Sequence, residues 1–183
     1  MIEKEVLIVG ADDSNHSGIS KMEIIATTFS FLNKDSIVTP FPNYRNLQGY
    51  LKWIENPERD YRFEILASEK YRYSSTNLVK ITPSLINSFL EDNDFYVKTL
   101  KIYLDGRLER DEKDFLRNIF TGRKGIEKVV VGNFIKKNKN TRGNISKRPN
   151  CPAVVYYADI LAHYLYPKSF EELSQHEKLV CVR

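Results

Sequence analysis

A run of aliphatic and β-branched residues, Val6-Leu7-Ile8-Val9, leads through Gly10 and Ala11 into two adjacent carboxylates, Asp12 and Asp13, and a polar turn ending at Gly18. An apolar run without alternation reads as a strand buried on both faces, which demands a layer of structure above it and another below. The two acids at its end have two readings: solvated turn formers, which Asp favours, or charges held at the margin of the sheet because a cation is held there too.

The rest of the chain supplies the layers. Residues 22–32 are rich in β-formers and follow the turn as a second, antiparallel strand. Residues 43–55 place Tyr44, Leu47, Leu51 and Ile54 at helical spacing ahead of Pro57, with Trp53 as a core residue. Residues 61–67 alternate with period two and predict a half-buried third strand, and Glu23 reads as an exposed strand residue in preference to a spare ligand. Thr82-Pro83 then opens a short helix with Leu85, Ile86, Phe89 and Leu90 on one side. Residues 97–104 form a fourth strand ending in Asp105-Gly106, again a carboxylate followed by a turn signal. An acidic helix start at Asp111, Glu112 and Asp114, with Phe115 and Ile119 as the buried pair, leads to a fifth strand over residues 126–134. Strand, helix, strand is the order of a parallel crossover, so the sheet is mixed and the fold class is α/β.

Pro152 and Pro167 bracket residues 153–166, which are apolar on all sides apart from Asp159 and, one turn on, His163. Such a helix must be largely enclosed, and a carboxylate inside it needs a proton, a partner or a metal. Ser169-Phe170-Glu171-Glu172 is a capping box for a short closing helix, and residues 179–182 end the chain as a strand.

Charge is distributed unevenly. The net charge is +4, yet residues 136–148 carry Lys136, Lys137, Lys139, Arg142, Lys147 and Arg148 and no acid, leaving the remainder net acidic. With Ile145 as its one large apolar residue, this segment cannot build a core and reads as a basic loop. It immediately precedes the Asp159 helix, so it projects toward the acidic edge, where its cations suit sequence-independent contacts to phosphates. Tyr71 and Tyr73, interleaved with Lys70 and Arg72, could extend that surface by stacking. The length of 183 residues fits one domain. No apolar run reaches the roughly 18 residues of a membrane span, and the start lacks the basic cluster of a secretory signal, which predicts a soluble, cytoplasmic protein. Cys151 and Cys181 are too few for a zinc site or a disulfide framework.

Parallel first and fourth strands would bring Asp12, Asp13 and Asp105 to one edge of the sheet, and the packed helix would add Asp159. Four clustered carboxylates repel unless divalent cations hold them, and hard oxygen donors favour Mg²⁺ or Mn²⁺. Two such ions roughly 3.5–4 Å apart suit phosphodiester hydrolysis. His163, one turn from Asp159, is a candidate proton carrier, as is His16.

In this constellation the chain resembles the ribonuclease H-like superfamily. Ala11-Asp12-Asp13-Ser14 resembles the Asp-Glu pair that ends the first strand of type 2 ribonucleases H, and the Asp-Glu-Ser opening of an uncharacterised branch of the superfamily. Leu104-Asp105-Gly106 is similar to the type 2 Asp-Gly, and Tyr157-Ala158-Asp159-Ile160-Leu161-Ala162 resembles the Ala-Asp-x-Leu-Ala helix of type 1 enzymes. Asp13 stands where the type 2 pair has Glu, and Ser14-Asn15-His16-Ser17-Gly18 replaces their Gly-Arg-Gly turn. The resemblance implies a five-stranded sheet whose second strand runs against the others. It also implies a two-metal nuclease with Asp12, Asp13, Asp105 and Asp159 as ligands, acting on nucleic acid, with RNA or an RNA–DNA hybrid favoured. The alternative is a protein of the same fold that binds nucleic acid or assembles with it without cutting.

Overall fold

The computed structural model describes residues 2–14, 22–31, 60–67, 76–93, 95–123, 125–134 and 153–182. Its elements in chain order are β1 (Ile2–Asp13), β2 (Met22–Phe31), β3 (Tyr61–Ala67), α1 (Thr76–Asp92), β4 (Phe95–Asp105), α2 (Arg110–Phe120), β5 (Lys128–Phe134), α3 (Ala153–Leu165), α4 (Phe170–Ser174) and β6 (Leu179–Val182). The expected helix over residues 43–55, His16, Trp53, the Tyr71–Tyr73 surface, Cys151 and the basic segment 136–148 lie outside the described residues.

The strands form one mixed sheet in the order β5-β4-β1-β2-β3-β6. β2 pairs antiparallel with β1 and with β3, whereas β1–β4, β4–β5 and β3–β6 are parallel, so among the described strands β2 alone runs against the rest. The resemblance implies five strands, whereas the sheet among the described residues has six, the segment over residues 179–182 forming the strand its own sequence suggests. The extra one is the C-terminal Leu179–Val182, which adds beside β3 and shields what would otherwise be its open edge.

Side chains alternate across the sheet, and each face has its own cover. Leu7, Val9 and Ala11 of β1, Ile25 and Phe29 of β2, and Leu100, Ile102 and Leu104 of β4 pack against α1 and α2. Phe29 stacks on Phe89 of α1 at 3.9 Å between ring centroids. On the opposite face, Ile24, Ala26, Phe63 and Ile65 meet Leu161, Ala162 and Leu165 of α3 and Leu173 of α4. β3 is therefore buried from Tyr61 to Ile65 rather than half buried, because helices cover both of its faces.

Two helices depart from expectation, α1 in where it starts and α2 in the face it buries. α1 begins at Thr76, ahead of the expected start at Thr82, and carries Pro83 inside it. An internal Pro costs roughly 3 kcal/mol through the missing N–H and ring clash. Burial of Leu78, Val79 and Ile81 in the added turns offsets that loss. In α2 the buried residues are Leu116 and Phe120, with Ile119 packed beside them, and Phe115 is exposed. The stripe runs i, i+3, i+4 from Leu116, one position round the helix from the expected Phe115 face. The start of α2 is a capping box: Glu109 N–H donates to Glu112, and Glu109 accepts in return. No helix among the described residues is long and apolar enough to cross a membrane.

Candidate functional site

The site begins with a glycine. A Cβ on Gly10 would lie 2.2 Å from the Val154 carbonyl carbon and 2.3 Å from Val154 O and Val155 N, so only glycine lets the first turn of α3 press onto β1. Thr28 Oγ1 of β2 donates to Val154 O at 2.7 Å and fixes the same turn from the neighbouring strand. From this anchor α3 runs across the sheet with Ala158, Leu161 and Ala162 fully buried, and Asp159 follows the anchor by a turn and a half.

Asp12 lies two residues after Gly10 and on the same face, paired with Ala26, whose side chain belongs to the α3 side of the sheet. In the parallel β1–β4 ladder Ala11 faces Leu104, so Asp12 and Asp105 each come next at the carboxyl ends of adjacent strands. Asp105 then enters a turn at Gly106, whose N–H donates to Asp105 Oδ1 at 3.0 Å and whose φ of 99° suits glycine. Asn133 Nδ2 of β5 donates to Gly106 O at 3.2 Å and steadies that turn. Three of the four acids expected at the site are thus gathered on one face: Asp12, Asp105 and Asp159.

Asp12 carries a clear electrostatic cost. It is 1% exposed, and among the described residues its Oδ1 accepts from the backbone N–H of Asp13 at 2.9 Å. Its Oδ2 is buried and has no hydrogen-bond partner among the described residues. Burial first, and then the Asp159 and Asp105 carboxylates, raise its pKa well above the usual carboxylate range. The Asp159 side chain is 14% exposed, and its Oδ1 lies 3.2 Å from Nε2 of His163, which is 53% exposed. The imidazole therefore stands at the rim, in reach of solvent on one side and of the cluster on the other.

Asp13 departs from the expected cluster. It pairs with Ile25, whose side chain packs under α1, so strand alternation sends Asp12 and Asp13 to opposite faces. There Asp13 is 4% exposed, on the side that also carries two buried glutamates absent from the expected site. Glu23 is fully buried, contrary to the exposed position expected, and accepts from Asn77 Nδ2 of α1 at 2.9 Å. Glu64 accepts from Ser84 Oγ, also of α1. The extension of α1 back to Thr76 is what brings Asn77 to Glu23, and nothing in the local pattern around Glu23 announces it.

The donor set on the α3 face is all carboxylate oxygen, which matches a hard divalent cation. A buried oxygen lacking a partner, flanked by two further acids, is the chemistry that such a cation relieves. Among the described residues no three His, Cys, Asp or Glu side chains converge into a ready-made metal cage. Comparison of the chain with protein-family models and with the sequences of curated proteins finds no match.

Proposed function

We propose that the protein is a divalent-metal-dependent phosphodiester hydrolase of ribonuclease H-like fold, acting on nucleic acid. The observation that carries this reading is the buried Asp12 carboxylate, its Oδ2 without a hydrogen-bond partner among the described residues, gathered with Asp105 and Asp159 at the carboxyl ends of two parallel strands. The strand order β3-β2-β1-β4-β5 with β2 reversed supports the fold assignment, β6 being an addition at one edge.

Asp12, Asp105 and Asp159 would hold Mg²⁺ or Mn²⁺. When bound, such ions lower the pKa of a water and stabilise the charge that develops on a phosphodiester. The chain's own groups do the rest. The Gly10–Val154 contact and the Thr28 bond fix where Asp159 stands, so the cluster is set before substrate arrives. His163, against Asp159 Oδ1, can hold a proton at the rim and pass it to or from solvent. The cations of residues 136–148 suit a grip on flanking phosphates that is independent of base sequence.

The test follows thermal stability as Mn²⁺ is added, then cleavage of RNA, DNA and hybrid duplexes by the parent, Asp105→Asn and Asp159→Asn. The reading requires Mn²⁺-dependent stabilisation and cleavage that both variants lose. The position of Asp13 on the far face, which leaves three carboxylates where four were expected, favours a second reading: a nucleic-acid-binding protein of this fold that does not cut. Salt-sensitive binding without cleavage in any divalent metal would select it.

A further inference from the structure

Beside the carboxylates, the same face of the sheet carries Tyr103, and the neighbours of this residue are unusual. In register it lies between two glycines, Gly10 on β1 and Gly132 on β5. The space above Gly10 is taken by the α3 backbone, which closes that side to a large side chain. The ring leans the other way: a Cβ on Gly132 would lie 2.7 Å from Tyr103 Cδ1 and 2.8 Å from Cε1. Glycine at 132 thus seats the ring across β5, just as glycine at 10 seats the helix across β1. Among the described residues no helix packs closely on this face of β5, since α2 covers the opposite one through Leu116 and Phe120. Tyr103 is half-buried, so its ring borders the site without being sealed from it. Strand alternation places Lys101 and Asp105 on the same face, each about 6.6–6.8 Å along β4 from Tyr103.

We propose that Tyr103 is a base-stacking contact for an unpaired nucleotide adjacent to the scissile phosphodiester, with Lys101 meeting the neighbouring phosphate. The inference rests on the nuclease reading and names the part of the substrate that the site recognises. An acidic cluster alone repels a polyanion, and a cation followed by an aromatic ring leading up to it supplies both attractions that a single strand offers, charge and stacking. Because every base has a π-face, the contact selects for an unpaired base and not for its identity.

The experiment measures fluorescence anisotropy of a labelled single-stranded oligonucleotide, and of its abasic counterpart with the same backbone, on the full chain with Ca²⁺ present. The parent should bind the base-bearing strand roughly 5- to 150-fold more tightly than the abasic one. Tyr103→Phe should keep that preference, and Tyr103→Leu should reduce it to near unity while leaving abasic binding in place. Equal binding of the two strands by the parent, or an undiminished preference in Tyr103→Leu, overturns the stacking role while the nuclease reading stands. Failure of the parent to bind either strand also overturns the single-strand contact, and the nuclease reading then stands or falls on the duplex cleavage assay.

Discussion

Gly10→Ala is the sharpest perturbation of the arrangement, because it adds one methyl group at the contact on which α3 is seated. The new Cβ would lie 2.2 Å from the Val154 carbonyl carbon, against the 3.4 Å or more of ordinary contact, so the first turn of α3 must retreat by about 1 Å. Backbone cannot rotate out of the way as a side chain can. Overpacking of this kind costs about 1–3 kcal/mol. The retreat also stretches the 2.7 Å Thr28 to Val154 hydrogen bond, whose loss adds about 1 kcal/mol. The sum is about 2–4 kcal/mol, which for a domain of this size lowers Tm by roughly 4–16 °C. In a strand interior without such a contact Gly→Ala is neutral or stabilising, so the sign is itself informative. Asp159 rides on the same helix, so the response of Tm to Mn²⁺ must weaken with the stability. Urea and thermal unfolding with and without Mn²⁺ measure both effects. A variant within about 0.5 kcal/mol of the parent, or one destabilised with its Mn²⁺ response intact, refutes the claim that this contact sets the cluster.

Two pH effects follow from opposite shifts. Asp12 has a raised pKa in the fold, so the stability it contributes is fully present below the ordinary carboxylate range and is lost as pH rises through its raised value. In EDTA the parent should therefore lose Tm across that window, and Asp12→Asn should flatten this part of the profile and be the more stable protein above it. His176 is shifted the other way: burial lowers its pKa, Lys178 N–H donates to Nδ1 at 3.1 Å, and Tyr61 Oη lies 3.3 Å from Nε2. Its contribution is present above the ordinary histidine range and is lost as pH falls through the lowered value, so His176→Gln should be less stable at neutral pH and lose less on acidification. Urea midpoints measured from pH 5 to 8 test this.

Much of the architecture is visible in local pattern. The apolar run at Val6–Val9, the Asp-Gly after the fourth strand and the acidic start of α2 each announce their element, because strand burial, turn chemistry and helix capping are local effects. The gathering of Asp12, Asp105 and Asp159 also follows from pattern, once two parallel strands and an enclosed helix are in place. What pattern does not show is tertiary in origin. Pro83 is a strong stop signal, overridden by apolar residues before it that find the sheet. Glu23 reads as an outward strand residue until α1 reaches back to cover it with Asn77. The separation of Asp12 from Asp13 was available in the period of two: adjacent residues of a continuing strand face opposite sides, and β1 continues through both. Setting both acids past the end of the strand concealed it.

That separation gives the most direct test of the central claim, that a divalent cation is held on the α3 face. Isothermal titration of Mn²⁺ into the parent, Asp12→Asn and Asp13→Asn compares two neighbouring carboxylates that differ in the face they occupy. The arrangement predicts saturable binding by the parent, its loss in Asp12→Asn and its retention in Asp13→Asn. Equal binding by the parent and Asp12→Asn, or loss in Asp13→Asn alone, would contradict it.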